Sequence, residues 1–199
     1  MLNPFVKSGD SHPLVVGMVG TKMGERFVQI GCAHGGRLGA VAARVGLSGR
    51  AVAITPDEAS AERARKGAAQ AGMLVEVEVA PLTALPVEDR AFDVAVIDDT
   101  GGLLGEMRPD DRRSLVRELF RIVRPGGRVV ALGAIPRSGL SALLTRRSTE
   151  PSFAASGALH ELLAADGFRP VRTLAERDGL IFVEAAKPRE QAGKAGRAG

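Results

Sequence analysis

The chain has 199 residues, 45% hydrophobic and 25% charged, enough for one domain with a substantial core and too short for two comfortable ones. A single Cys excludes an internal disulfide and a cysteine zinc cluster, and the lack of Trp and Tyr removes most base-stacking platforms. The net charge is +4, but Lys187, Arg189, Lys194 and Arg197 against Glu190 put three of those charges in residues 187–199, so the body of the chain argues against nucleic acid as a partner.

Residues 1–12 form a surface segment, and within them 1–10 have no periodicity. A short helix is expected from His12 to Val19, where Leu14, Val15, Met18 and Val19 share a face and Gly20 stops it. Arg26 to Ile30 reads as the first strand. It runs into the small-residue turn Gly31-Cys32-Ala33-His34-Gly35-Gly36 and then a helix to Val45. Gly49 to Ile54 is a second strand. Thr55-Pro56-Asp57-Glu58 predicts a capping box, with Thr55 as cap, Pro56 in the first helical position and Glu58 answering Thr55. That helix runs to about Ala71.

Leu74 to Val79 alternates apolar residues with Glu76 and Glu78, as a half-exposed strand does. Phe92 to Ile97 is a buried strand ending on Asp98 and Asp99. A helix follows from about Asp110 to Val123, and Pro125-Gly126-Gly127 reads as a stop before a strand from Arg128 to Ile135. The stretch 136–157, with Arg137, Arg146 and Arg147, has no clear pattern. Ala158 to Ala165 is helical, and two closing strands, about Val171–Ala175 and Leu180–Ala185, meet at Asp178-Gly179, a hairpin signal. The organisation is one domain over 13–186 followed by a disordered basic tail over 187–199. With no apolar run of membrane-spanning length and no signal-peptide pattern, the expected location is the cytoplasm.

A strand, a glycine turn and a helix in that order can cradle a nucleotide or cofactor. Glycines let the backbone approach a ligand, and the helix start offers unpaired N–H groups. Each residue also has a plainer reading. The glycines can serve a tight turn, Cys32 packing, His34 the solvent, Thr55 a helix cap and Asp99 the following turn. His12, His34 and His160 have no metal-ligand spacing, so no metal is expected.

With these elements in register the chain resembles class I S-adenosylmethionine (SAM)-dependent methyltransferases. Within them it looks most like the type-11 group that includes ubiquinone/menaquinone-biosynthesis C-methyltransferases. The resemblance covers about 13–187. It rests on Val28-Gln29-Ile30-Gly31-Cys32-Ala33-His34-Gly35, on Leu85-Pro86-Val87 followed by Ala91-Phe92-Asp93-Val94, on Leu119 through Pro125-Gly126-Gly127-Arg128, and on Leu162 through Asp166-Gly167-Phe168. It implies a Rossmann-like, doubly wound, mostly parallel seven-stranded sheet with a C-terminal antiparallel hairpin. It also implies SAM as cofactor and methyl transfer to an unidentified small-molecule or protein acceptor. Carried over position by position, it places Gln29, Gly31, Ala33, His34, Gly35, Thr55, Asp57, Leu82 and Asp98 around the cofactor. Asp98 is also the candidate catalytic residue, to orient a substrate or serve as base.

The sequence departs from the family's pattern at four places. Gln29 stands where an acidic residue usually precedes the turn. Thr55 stands where another acid holds the ribose hydroxyls, with Asp57 two residues further on. Ala80 or Pro81 falls where a third contacts the adenine amino group, and Ala33 replaces the middle glycine. Losing the partner of a buried polar group costs about 1–3 kcal/mol, and about 1.4 kcal/mol is tenfold in affinity. Two uncompensated losses would weaken SAM by about a hundredfold to ten-thousandfold. A second reading is therefore a catalytically inactive pseudo-methyltransferase that acts as a binding or assembly subunit with a protein partner. A nicotinamide-dependent oxidoreductase fits Gly31-x-Ala33-x-x-Gly36, but the Pro-Gly-Gly element and the closing hairpin argue against it.

Overall fold

The computed structural model of the chain describes residues 12–135 and 152–190. The expectations for 1–11, for Arg137, Arg146 and Arg147, and for 191–199 lie outside the described residues.

Seven strands form one sheet: β1 (Arg26–Ile30), β2 (Arg50–Thr55), β3 (Glu76–Val79), β4 (Phe92–Asp99), β5 (Val123–Ala134), β6 (Val171–Arg177) and β7 (Leu180–Ala186). Their order is β3-β2-β1-β4-β5-β7-β6. The first five run parallel, and β7 lies antiparallel to both β5 and β6. The expected architecture is therefore the observed one. Asp178 and Gly179 both take positive φ, 56° and 77°, as a tight two-residue hairpin turn demands.

Helices cover both faces. On one lie α1 (His12–Val19), α2 (Gly35–Val45) and α3 (Glu58–Gln70). Leu38, Val41, Ala42 and Val45 of α2 pack with Phe27, Val94 and Val96 there. On the other lie α4 (Leu103–Glu106), α5 (Pro109–Ile122) and α6 (Ala158–Ala165). Leu115, Val116, Leu119 and Ile122 of α5 join Phe92, Ala95 and Ile97 in the larger core. The central strands are buried on both sides, which explains why β1 and β4 read as near-continuous apolar runs rather than alternating ones. Each such Leu or Ile contributes about 1.5–3 kcal/mol by leaving water.

Connections leave β1 toward β2 on one side, and the chain returns to place β4 on the other. The order reverses there, and the carboxyl ends of β1 and β4 flank the crevice where sheets of this kind take ligands.

Three local expectations are corrected. The cap of α3 is Asp57, not Thr55: Asp57 has extended backbone and its carboxylate accepts from Ser60 N at 2.8 Å. Thr55 stays in β2 because it pairs with Val79 of β3. Pro125-Gly126-Gly127 does not precede β5 but lies inside it. Val123 already pairs with Phe92, and the register shifts before Arg128 meets Val94. Gly127 is needed because a Cβ there would lie 2.7 Å from the Asp93 carbonyl. Finally, the tail does not begin at Lys187. That side chain is buried, and its Nζ donates to Val123 O at 2.9 Å and also to Phe120 O, at the end of α5. Burial lowers its pKa, with Arg90 adding to the shift. Glu190 pairs with Arg90 at 2.8 Å.

Candidate functional site

The turn after β1 is fixed from several sides. Gly31 has φ +74° and donates its N–H to Ile54 O of β2 at 2.8 Å. Gln29, buried beneath it, donates Nε2 to Gly31 O at 2.9 Å. Cys32 is buried, and its thiol is pushed up to about 12 by burial and by Asp98, against Arg63. It is a packing residue and no nucleophile. His34 is the residue before α2, extended at φ −137° and half-buried, and its side chain makes no cap bond.

The glycines divide by cause. A Cβ at Gly31 would meet Leu103 Cδ2 at 2.6 Å, and one at Gly36 would meet the His12 ring at 2.7 Å. At Gly35 it would collide with the Arg63 carbonyl, and Gly67 of α3 in turn lies against the Gly35 backbone. Gly35 is thus required by the α2–α3 contact. The Ala33 methyl abuts Gly101, where a Cβ would lie 3.3 Å away.

Strand pleating sends the two aspartates of β4 to opposite faces. Asp98 is 3% exposed. Its Oδ2 accepts from Ala33 N at 2.9 Å, and its Oδ1 from Thr100 N at 3.2 Å and Thr100 Oγ1 at 2.5 Å. Arg37 of α2 in turn donates to Thr100 Oγ1 at 3.0 Å. Asp98 is therefore the brace that ties the turn to β4, with both carboxylate oxygens engaged in it. Asp99 accepts from Leu104 N at 2.7 Å and Ala154 N at 2.9 Å. Burial pushes its carboxyl above the ordinary range, although both amides oppose that.

At the end of β2, Thr55 is fully buried and its hydroxyl points at two carbonyls, Asp57 O at 3.2 Å and Glu78 O at 3.4 Å. It is not presented to a ribose. Asp57 is exposed; besides Ser60 N it accepts from Ser60 Oγ at 3.1 Å, and chiefly the Ser60 amide holds its pKa down. Leu82 belongs to the larger core. The structure thus gathers Gln29, Gly31, Ala33, His34, Gly35 and Asp98 at one turn. Asp57 stands at the rim, and Thr55 and Leu82 are turned into the protein.

The sequence reading missed Arg63, whose Nε donates to Cys32 O at 2.8 Å and whose Nη2 donates to Ser60 Oγ at 2.7 Å. It also missed Thr100, Leu103 and Arg37. Only the position of Thr100 two residues after Asp98 could have marked it, as the hydroxyl of a local turn. Among the described residues no group of three or more His, Cys, Asp or Glu could hold a metal, and no helix is long and apolar enough to cross a membrane.

A family model for a methyltransferase domain matches residues 27–127. A transposon-encoded 37.1 kDa protein of Streptomyces fradiae, itself uncharacterized, is 34% identical over 107 residues, 54% of this chain and 29% of its own length. The curated relatives from mycobacteria are matched over 40% of their length, so the chain spans well under half the length of these curated relatives. Among solved structures, a SAM-dependent methyltransferase from Aquifex aeolicus superposes with a TM-score of 0.70 at 20% identity, covering 88% of each chain. A [4+2]-cyclase, SpnF, gives 0.67 at 20% identity over 90% of this chain and 80% of its own. These matches reach the family without singling out the ubiquinone/menaquinone group. On its sequence match and its class I fold, the chain belongs to the methyltransferase-domain family.

Proposed function

We propose that the crevice at the carboxyl ends of β1, β2 and β4 binds SAM and that the protein transfers its methyl group to an acceptor, a small molecule or a protein. The observation that carries this reading is the braced turn Gly31 to Gly35 at the switch point of a class I sheet. The residues present fit such a cofactor: the turn leaves Ala33, His34 and Gly35 only half-buried at the start of α2, and the exposed Asp57 carboxylate keeps acceptor capacity beyond its cap for a ribose hydroxyl. SAM, when bound, supplies an electrophilic methyl on its sulfonium. The chain's own part is alignment and exclusion of water. Asp98 serves by holding Ala33, with Thr100 and Arg37 behind it, rather than by taking a proton.

One observation favours a second reading, the non-catalytic binding or assembly subunit. Gln29 and Thr55 stand where the family's pattern has acids, and both spend their side chains on backbone carbonyls. Calorimetric titration with SAM and with S-adenosylhomocysteine, with NADH as control, separates the two. Dissociation constants of about micromolar support the enzyme, and absence of binding at about millimolar ligand sinks it.

A further inference from the structure

The ground over the first glycine is taken by the chain itself. Leu103 lies against the Gly31 α-carbon, close enough that a Cβ there would be 2.6 Å from its Cδ2. Its platform is rigid. Leu104 is buried in the larger core, its N–H is held by Asp99 Oδ1 at 2.7 Å, and its carbonyl accepts from Arg112 at 2.8 Å. Leu103 itself is only half-buried, packed on the edge of the larger core with part of its side chain in solvent. A half-buried leucine side chain on a fixed backbone can change rotamer without disturbing the fold.

We propose that Leu103 is the stopper of the cofactor seat. In the ligand-free protein its isobutyl group covers Gly31, and it turns off that glycine about its Cα–Cβ bond to admit the nucleoside cofactor. This rests on the SAM reading of the crevice and adds the residue that sets its affinity. A seat open only about one-tenth of the time weakens the apparent affinity about tenfold. The stopper also explains why Gly31 is glycine beyond the demand of its φ: a methyl group there would have to share the place that Leu103 already holds.

The test is calorimetry with S-adenosylhomocysteine on the wild type, Leu103→Ala and Leu103→Phe, with Leu47→Ala at the opposite end of the sheet as control. It is joined by NOE measurement between the Leu103 methyls and the Gly31 α-protons in the wild type. The expected result is binding about tenfold tighter in Leu103→Ala and weaker in Leu103→Phe. The cross-peak should be present without ligand and lost in the complex. Equal or weaker binding in Leu103→Ala, or a cross-peak that survives in the complex, overturns the stopper while leaving the cofactor reading intact. Absence of binding in wild type and both Leu103 variants overturns the cofactor reading, and the stopper with it.

Discussion

β4 closes on two carboxylates, Asp98 and Asp99, both buried and both engaged by main-chain amides from other segments. β2 closes on a buried hydroxyl, Thr55, whose partners are one local carbonyl and one of the neighbouring strand, and on an exposed carboxylate, Asp57, which caps its own helix. The first end is invested in holding the crevice together, one aspartate per face of the sheet. The second leaves its charged group outward. Family resemblance treats both ends as cofactor contacts, yet here only the β2 end has a carboxylate exposed to meet a ligand.

The largest effect should come from Asp99→Ala. It orphans the amides of Leu104 and Ala154, each costing about 1–3 kcal/mol, so urea unfolding at neutral pH should show a loss of about 2–6 kcal/mol. A smaller loss than in Asp57→Ala would break the contrast between the two ends. Asp98→Asn keeps one acceptor oxygen but loosens the Ala33–Thr100 brace. Binding of S-adenosylhomocysteine should weaken about tenfold, about 1.4 kcal/mol, with a smaller change in unfolding midpoint. At the β2 end the two roles of Asp57 can be separated: Asp57→Ala should cost about 1 kcal/mol of stability, and Asp57→Asn, itself a good cap, only a few tenths. Both should weaken ligand binding, whereas Thr55→Val should leave affinity unchanged.

The pH dependence sharpens the comparison with the smallest effects. Burial raises Asp99 in the folded state, so its contribution is full below the ordinary carboxylate pKa and is lost as pH rises through its raised value. Glu118 has the opposite sign. The Arg121 guanidinium at 2.7 Å holds it below the ordinary range, so its contribution is present above that range and lost as pH falls through the lowered value. Urea midpoints between about pH 3 and pH 7 should show Asp99→Asn flattening the part of the profile above the ordinary carboxylate pKa and Glu118→Gln the part below it.

Much of the fold was legible because its signals are local. Strand, turn and helix around Gly31, the apolar face of α5 and the Asp178-Gly179 hairpin each follow from a few neighbouring residues. What was not legible depended on partners distant in sequence. Thr55 and Asp57 are both good caps by composition, and pairing with Val79 decided between them. Pro125-Gly126-Gly127 looks like a stop, but Val123 already pairs with Phe92 across a register shift. At the site, Gly35 reads as a ligand glycine in any local window, and only the crossing of α3 reveals Gly67 and the Arg63 carbonyl against it. Leu103 carries no local signal at all, being one apolar residue in a glycine-containing loop.

The clasp at Lys187 fixes where the chain departs. Residues 187–190 are tied to Gly127, to the end of α5 and to Arg90, all at the amino ends of the parallel strands. A tag, anchor or fused domain joined after them would emerge at the pole remote from the glycine turn. Immobilising the protein by a group attached directly after residue 190 should therefore leave the crevice facing solution, and surface-based ligand measurements can be built on that attachment without burying the seat they probe.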